Sequence, residues 1–168
     1  MKAPWLSLFG AALLCLTAAS VQAQGIHRLD SAASPRQQVA ALRVLDENGR
    51  PLANNPFAQQ ANAYFGRVEY RVATAAFVGQ QARISLVMPP HVRGLRRADG
   101  LLFQWKGMDG TLSGQASPGQ RQLIWSGRVE QAFTSLAIEL GMQVDLSAMG
   151  DSAGLVGVAP SFELELLP

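Results

Sequence analysis

The sequence has almost no cysteine or histidine, the residues that most often hold metal ions or form covalent cross-links. Its one cysteine is Cys15, in an apolar N-terminal stretch, and its two histidines are His27 and His91. Two distant histidines without a thiolate do not make a zinc site, because tetrahedral zinc needs four grouped ligands. The sequence therefore predicts no metal site and no cofactor.

A strong charge of one sign and a long apolar run are also absent. The chain has 14 basic and 12 acidic residues and a net charge of +2. Nucleic-acid-binding domains normally have a large basic excess, so nucleic acid is not a predicted partner. The longest apolar run, residues 6–17, is too short to span a bilayer comfortably, so no transmembrane span is predicted.

The N-terminus is typical of an export signal. Lys2 gives a positive start, residues 6–17 are apolar, and Val21–Ala23 places small residues where a signal peptidase reads them. We predict a signal peptide over residues 1–23, an N-terminal extension over 24–36 and one domain over 37–168. The protein is expected in the periplasm, and then at the cell surface or secreted. Cleavage would remove the only cysteine and exclude a disulfide.

Alternation of apolar and polar residues is the main structural signal. Between Tyr64 and Met88 it predicts two strands that are separated by a turn at residues 79–81. Period two places alternate side chains on opposite faces of a sheet. Further strands are predicted at residues 39–45, 101–106, 123–125, 134–140, 142–146 and 162–166, a helical turn within 57–63, an irregular leader over 24–35 and a loop over 114–120.

The number and spacing of these strands predict the fold class. Turn sequences such as Asn48-Gly49 and Asp109-Gly110 follow the strands closely, and no convincing long helix is present. About seven to nine short strands with one apolar face each indicate an all-β antiparallel sandwich.

One motif resembles a catalytic one. Residues 150–154 fit the G-x-S-x-G pattern of a serine nucleophile, with Ser152 at its centre. No histidine follows Ser152, and the β-branched, Gly-rich sequence after it does not begin a helix. The order His91, Asp109, Ser152 remains formally possible, but a Gly/Asp/Ser turn is the favoured interpretation. The sequence predicts no enzyme.

Two surface features are candidates for contact with a partner. Arg93, Arg96 and Arg97 form a small basic loop, although a solvated loop explains them as well. Trp125 follows a core-like residue and its face is uncertain. Trp105 alternates in phase with apolar neighbours, so it is predicted to lie in the core.

The order of these segments resembles the colonisation-factor (alpha) class of chaperone–usher pilins. The likeness covers most of the chain after residue 23, including its length and its lack of cysteine. Five segments carry it: the turn Asp46–Leu52, the strand pair Phe65–Met88, the strand Leu102–Gly107, the small-residue stretch Ala153–Val158 and the last strand Phe162–Leu166.

The resemblance implies a non-enzymatic structural or adhesion subunit with an immunoglobulin-like sandwich that lacks its final strand. A periplasmic chaperone would fill the groove, and the next subunit's N-terminal segment would replace it at an outer-membrane usher. The partners would be other fimbrial subunits or copies of this chain, assembled into a fimbrium at the cell surface. The groove would be walled by Phe162, Leu164 and Leu166, and the donor candidates are Ile26, Leu29 and Val39.

Two other interpretations remain open. Ile26 and Leu29 are three residues apart, whereas a donor strand should alternate. A self-complete periplasmic or secreted sandwich that binds a ligand or a protein partner is the alternative. A serine hydrolase using Ser152 comes third.

Overall fold

A computed structural model describes residues 25–35, 39–150 and 156–168. In this part of the chain nine strands form two sheets, and the helical segments are single 3-10 turns. The strands are β1 (Ile26–Leu29), β2 (Arg43–Leu45), β3 (Gln60–Ala73), β4 (Gln81–Val87), β5 (Leu101–Met108), β6 (Gly114–Ala116), β7 (Arg121–Arg128), β8 (Phe133–Asp145) and β9 (Ser161–Leu166). The predicted all-β sandwich is confirmed.

The two sheets are antiparallel and differ in size. The four-stranded sheet has the order β1-β9-β4-β7, and the five-stranded sheet has the order β2-β3-β8-β5-β6. The longest pairing joins β3 to β8, from Gln60 opposite Asp145 to Ala73 opposite Phe133. The last strand lies between the first strand and β4, so segments from the two ends of the described chain are neighbours in one sheet.

The core lies between the sheets and is filled by alternate side chains from both. Val68 and Val72 of β3 are buried, and so are Ile84 and Leu86 of β4. Burying an aliphatic side chain of this size stabilises the fold by about 1.5–3 kcal/mol relative to leaving it exposed. The largest fully buried side chains are Phe103, Phe162, Ile84, Leu86, Met88, Leu101, Ile124, Leu136, Ile138, Leu164, Val72 and Val129.

The two strands predicted between Tyr64 and Met88 are present, but they belong to opposite sheets. At the crossover, the buried Thr74 hydroxyl donates to the Gln131 carbonyl at 3.0 Å. Gly79 then takes the left-handed φ of 89° before β4 begins. Alternation determines which side chains face the core. It does not determine whether the second strand lies beside the first or across from it.

Two predictions near the N-terminus were wrong in detail. The leader predicted to be irregular contains β1, which exists because the edge of β9 offers it backbone partners. The strand predicted over residues 39–45 is shorter, and β2 spans only Arg43–Leu45. The turn after it is present, with Gly49 at φ 77° and the Asp46 amide donating to the Arg50 carbonyl at 2.7 Å.

Three later predictions also need correction. Residues 57–63 lead into β3 instead of forming a helical turn, and a 3-10 turn occurs earlier, at Leu52–Asn54. The loop predicted over residues 114–120 contains β6, which pairs with β5. The strands predicted at 134–140 and 142–146 are one strand, β8, because Gly141 continues the ladder opposite Tyr64.

The sandwich has two unlike long sides. On the closed side, the segment just before β6 is bonded to β7 and to β5. The Leu112 amide donates to the Ile124 carbonyl of β7 at 2.7 Å, and Nε1–H of Trp105 on β5 donates to the Leu112 carbonyl at 2.8 Å. On the open side β1 and β2 are the edge strands, and a groove of about 640 Å³ remains between the sheets.

Candidate functional site

The groove on the open side is lined by side chains of the five-stranded sheet and of the loop segments that cross it. Val68, Tyr70 and Phe103 line it from the five-stranded sheet. Val156 and Val158, in the segment that leads into β9, line it from the other side. Ser31, Ser34 and Arg93 line it too, so the groove beside the segment that leads into the last strand has a mixed apolar and polar surface.

Strand β1 occupies the edge of β9 beside this groove. Leu29 lies opposite Phe162 and Ile26 lies opposite Glu165. Leu29 is buried, whereas Ile26 is 55% exposed. The N-terminal strand is therefore held by its backbone ladder, by one buried side chain and by the contact of the His27 ring with the Phe77 ring, whose centroids are 5.0 Å apart.

After β1 the chain crosses to the five-stranded sheet. The Ala73 amide donates to the Asp30 carbonyl at 2.8 Å, and the Arg71 amide donates to Ser34 Oγ at 3.0 Å. Val39 then lines the groove and is partly buried against the core. Of the three donor candidates, Leu29 and Val39 contact the core of their own chain, and Ile26 lies largely in solvent.

The three residues predicted to wall the groove face the core. Phe162 and Leu164 are fully buried and Leu166 is partly buried. The Phe162 ring packs against the Tyr70 ring, with centroids 5.0 Å apart. Burial raises the pKa of Tyr70 to about 12, so this phenol stays neutral at physiological pH.

The three loop arginines have different surroundings. Arg93 lines the groove. Arg97 pairs with Asp99 and Asp145, each at 3.3 Å, in exposed ion pairs. Arg96 is exposed and its backbone lies along the same loop.

The two tryptophans and the residues considered for a serine hydrolase lie in different surroundings. Trp105 is buried in the core, and Trp125 on β7 is half-buried. His91 is exposed, and the Asp109 carboxylate contacts Arg67 at 2.8 Å. Ser152 lies outside the described residues. Nothing in the described part brings His91 and Asp109 together.

The sequence analysis missed one group of residues on the outer face of the five-stranded sheet. Tyr64, Gly141 and Gln104 are consecutive register partners across three strands and line a depression. Its signal in the sequence is Gly141, a glycine at the outward position between the inward-facing Leu140 and Met142.

Comparison with protein-family models, with curated proteins and with solved structures found no match. Within the residues that the structure describes, no group of three or more His, Cys, Asp or Glu side chains is placed to hold a metal ion. No helix in the same ranges is long and apolar enough to cross a membrane.

Proposed function

We propose that this protein is an exported structural or adhesion subunit that assembles by strand addition. In this proposal the N-terminal strand is the donor and β9 is the acceptor. The antiparallel pairing of β1 with β9 at the edge of the four-stranded sheet is the observation that supports it. The edge of β9 presents the same backbone groups to β1 of its own chain and to β1 of another copy, so either can complete the sheet.

The way β1 is held favours exchange between chains. It has four residues, and Leu29 is its one buried side chain. An exchanged copy would restore the same ladder and the same Leu29 contact, so little free energy separates the two arrangements. Exchange of an identical element between protomers is a low-cost route to assemblies.

The groove beside β1 offers further contacts to a donor segment. Tyr70, Phe103 and Val158 provide apolar contacts there, and serine and arginine side chains line the groove as well. An extended segment with alternate apolar side chains would bury them there while its backbone continued the ladder on β9. A subunit in this state would expose apolar surface until it was filled, so a periplasmic chaperone and an outer-membrane usher are the partners we propose. We also propose that the sandwich is immunoglobulin-like.

A disulfide-trapping experiment tests where β1 pairs. Arg28 and Glu163 are register partners on β1 and β9, and antiparallel partners lie close enough for a disulfide. The variant Arg28→Cys/Glu163→Cys, with Cys15→Ser, is expressed from the full gene in its native cells. Strand addition predicts a ladder of covalent multimers on a non-reducing gel, which collapses on reduction.

The matched control places the partner cysteine on a strand that is not expected to exchange. Ser85 on β4 is the other register partner of Glu163, so Ser85→Cys/Glu163→Cys should link within one chain. Multimers from the β1 pair and monomers from the β4 pair support the proposal. Monomers cross-linked equally well in both variants contradict it.

A second function is favoured by a specific observation. Strand β1 completes the sheet of its own chain, which is the arrangement of a self-complete periplasmic or secreted sandwich that binds a ligand or a protein partner. Such a protein would be monomeric and would unfold cooperatively whatever its concentration. Monomeric cross-linking in the trapping experiment would support this function.

A further inference from the structure

The depression on the outer face of the five-stranded sheet lies in one register row. Arg43, Tyr64, Gly141 and Gln104 follow one another across β2, β3, β8 and β5. Strands lie about 4.8 Å apart, so Tyr64 and Gln104 flank a gap of about 10 Å with a glycine at its centre. The cavity at this place has a volume of about 700 Å³.

The backbone does not require glycine at position 141. Gly141 is not among the glycines with a positive φ, and an added Cβ would meet only the Ala63 carbonyl oxygen at 3.7 Å, an ordinary contact. Gly66, by contrast, has a φ of 72° beside the bulge in β3. Glycine weakens a strand interior, and close approach of a ligand is one reason to keep it there.

Tyr64 provides a positioned aromatic surface beside this gap. It is 41% exposed, and the guanidinium carbon of Arg43 lies 4.6 Å from its ring centroid. The cation–π contact holds Arg43 over one face of the ring. A free aromatic face packs well against an apolar face of C–H groups.

Both apolar and polar side chains line the rest of the depression, and the apolar ones include Leu42, which is largely exposed. Gln104, Lys106 and Glu139 line it, and Lys106 and Glu139 are register partners in the next outward row. Within the described ranges, these three side chains have no hydrogen bond or ion pair inside the protein. An amide, an ammonium and a carboxylate together offer donors and acceptors to hydroxyl groups.

The position in the sheet restricts the class of ligand. β3 and β8 are interior strands here, so their backbone groups are already paired and cannot add a peptide strand. Recognition must use side chains: the Tyr64 ring and Leu42 provide apolar contact, and the three unpaired polar side chains provide hydrogen bonds. The ligand that matches has an apolar C–H face and a rim of hydroxyls.

We propose that this depression binds a saccharide. A pyranose ring stacks on Tyr64 above Gly141, and its hydroxyls bond to Gln104, Glu139 and Lys106. The cavity volume lies within the usual range of small-molecule sites, about 300–1,000 Å³. The site is independent of strand addition, because it lies on the outer face and uses neither β1 nor β9.

The test is a titration of the purified ¹⁵N-labelled protein, produced from the full chain, followed by amide chemical shifts. The probes are methyl β-D-galactopyranoside, methyl α-D-mannopyranoside and D-glucuronic acid. We expect at least one to shift amides around Gly141 with a millimolar Kd. A preference for glucuronic acid would place a carboxylate beside Lys106, and a preference for a methyl glycoside would place a hydroxyl there.

Two variants make the test specific. Gly141→Val fills the gap and Tyr64→Ala removes the aromatic face, so each should weaken binding by about tenfold or more, which corresponds to about 1.4 kcal/mol. Valine suits a strand, so Gly141→Val should keep its thermal midpoint. Ser135→Val, on the same face of β8 but away from the depression, should bind as the unchanged protein does. Absence of localised shifts with all three probes, or unchanged binding by Gly141→Val, would overturn the proposal.

Discussion

The closed and open sides of the sandwich are held together by different kinds of contact. On the closed side, β5, β6 and β7 are consecutive in the chain, and Trp105 ties them together through the Leu112 carbonyl. Gly107 packs so tightly on the Thr111 backbone that no side chain would fit there. On the open side, β1 and β2 are edge strands of four and three residues beside the groove.

This difference separates a side of the sandwich with many short-range contacts from the side to which the proposed strand addition is assigned. Contacts between neighbours in the chain form with little loss of loop entropy, so the closed side is expected to be the more stable. The open side joins segments from the two ends of the domain by a short ladder. Elements that exchange or open are drawn from such weakly held regions.

The largest effect should come from the closed side. Trp105→Ala removes a buried indole and leaves the Leu112 carbonyl without its donor. We expect the free energy of unfolding to fall by about 3–5 kcal/mol, measured by urea denaturation. The half-buried Trp125 is the matched control, and Trp125→Ala should cost less. Equal losses would mean that the closed side is not specially stabilised by Trp105.

A smaller effect should come from the open side. Leu29→Ala removes the one buried side chain of β1, and we expect a loss of about 2 kcal/mol, near the low end for leucine, because an edge strand can adjust. Ile26→Ala, at the exposed end of the same strand, should change stability by no more than about 0.5 kcal/mol. If Leu29→Ala behaves like Ile26→Ala in the monomer, β1 does not pair stably within its own chain.

Sequence reasoning succeeded where one strand carries its own signal. Val68, Val72, Ile84 and Leu86 alternate strictly, and all four are in the core. Trp105, in phase with its apolar neighbours, is in the core too. In each case the burial of alternate side chains is enough to determine the face, whatever strand lies alongside.

Sequence reasoning failed where a strand or site depends on a neighbouring strand from a distant part of the chain. β1 has a single buried residue, so nothing in Ile26–Leu29 distinguishes it from a loop until the edge of β9 is known. The depression depends on register across four strands, which brings Tyr64 and Gln104 to either side of Gly141. No periodicity within one segment encodes that arrangement.

A pH-dependent effect is expected at the turn after β2, also on the open side. The Asp46 carboxylate accepts hydrogen bonds from the Asn55 side chain at 2.8 Å and from the Arg50 amide at 2.8 Å, and these lower its pKa. A lowered folded pKa contributes stability above the unfolded pKa of about 3.9 and loses it as pH falls through the folded value.

The variant Asp46→Asn isolates this contribution. It should lower the thermal midpoint of unfolding at neutral pH. The midpoint of the variant should also fall less than that of the unchanged protein when the pH is lowered from about 6 to about 2. Asp30→Asn is a control, since Asp30 is an exposed acid that caps a turn with one amide. A midpoint that falls equally far in Asp46→Asn and in the unchanged protein would show that other groups dominate its pH dependence.

The smallest effect should come from the charges at the turn after β5, on the closed side. The Arg67–Asp109 contact is short, at 2.8 Å, but both side chains are more than half exposed, at 54% and 66%. Exposed ion pairs are typically worth about 0.2–1 kcal/mol and are screened by salt. Asp109→Asn should therefore cost no more than about 0.5 kcal/mol in urea denaturation, and less at high salt.

The backbone conformation of Asp109 makes it possible to measure the effect of its charge separately from the effect of its backbone strain. Its φ of 52° lies in the left-handed region, which asparagine and aspartate tolerate better than alanine does. Asp109→Ala should thus cost about 1 kcal/mol more than Asp109→Asn, and this difference should not depend on salt. A large, salt-sensitive loss in Asp109→Asn would mean that charge, and not packing around Trp105, stabilises the closed side.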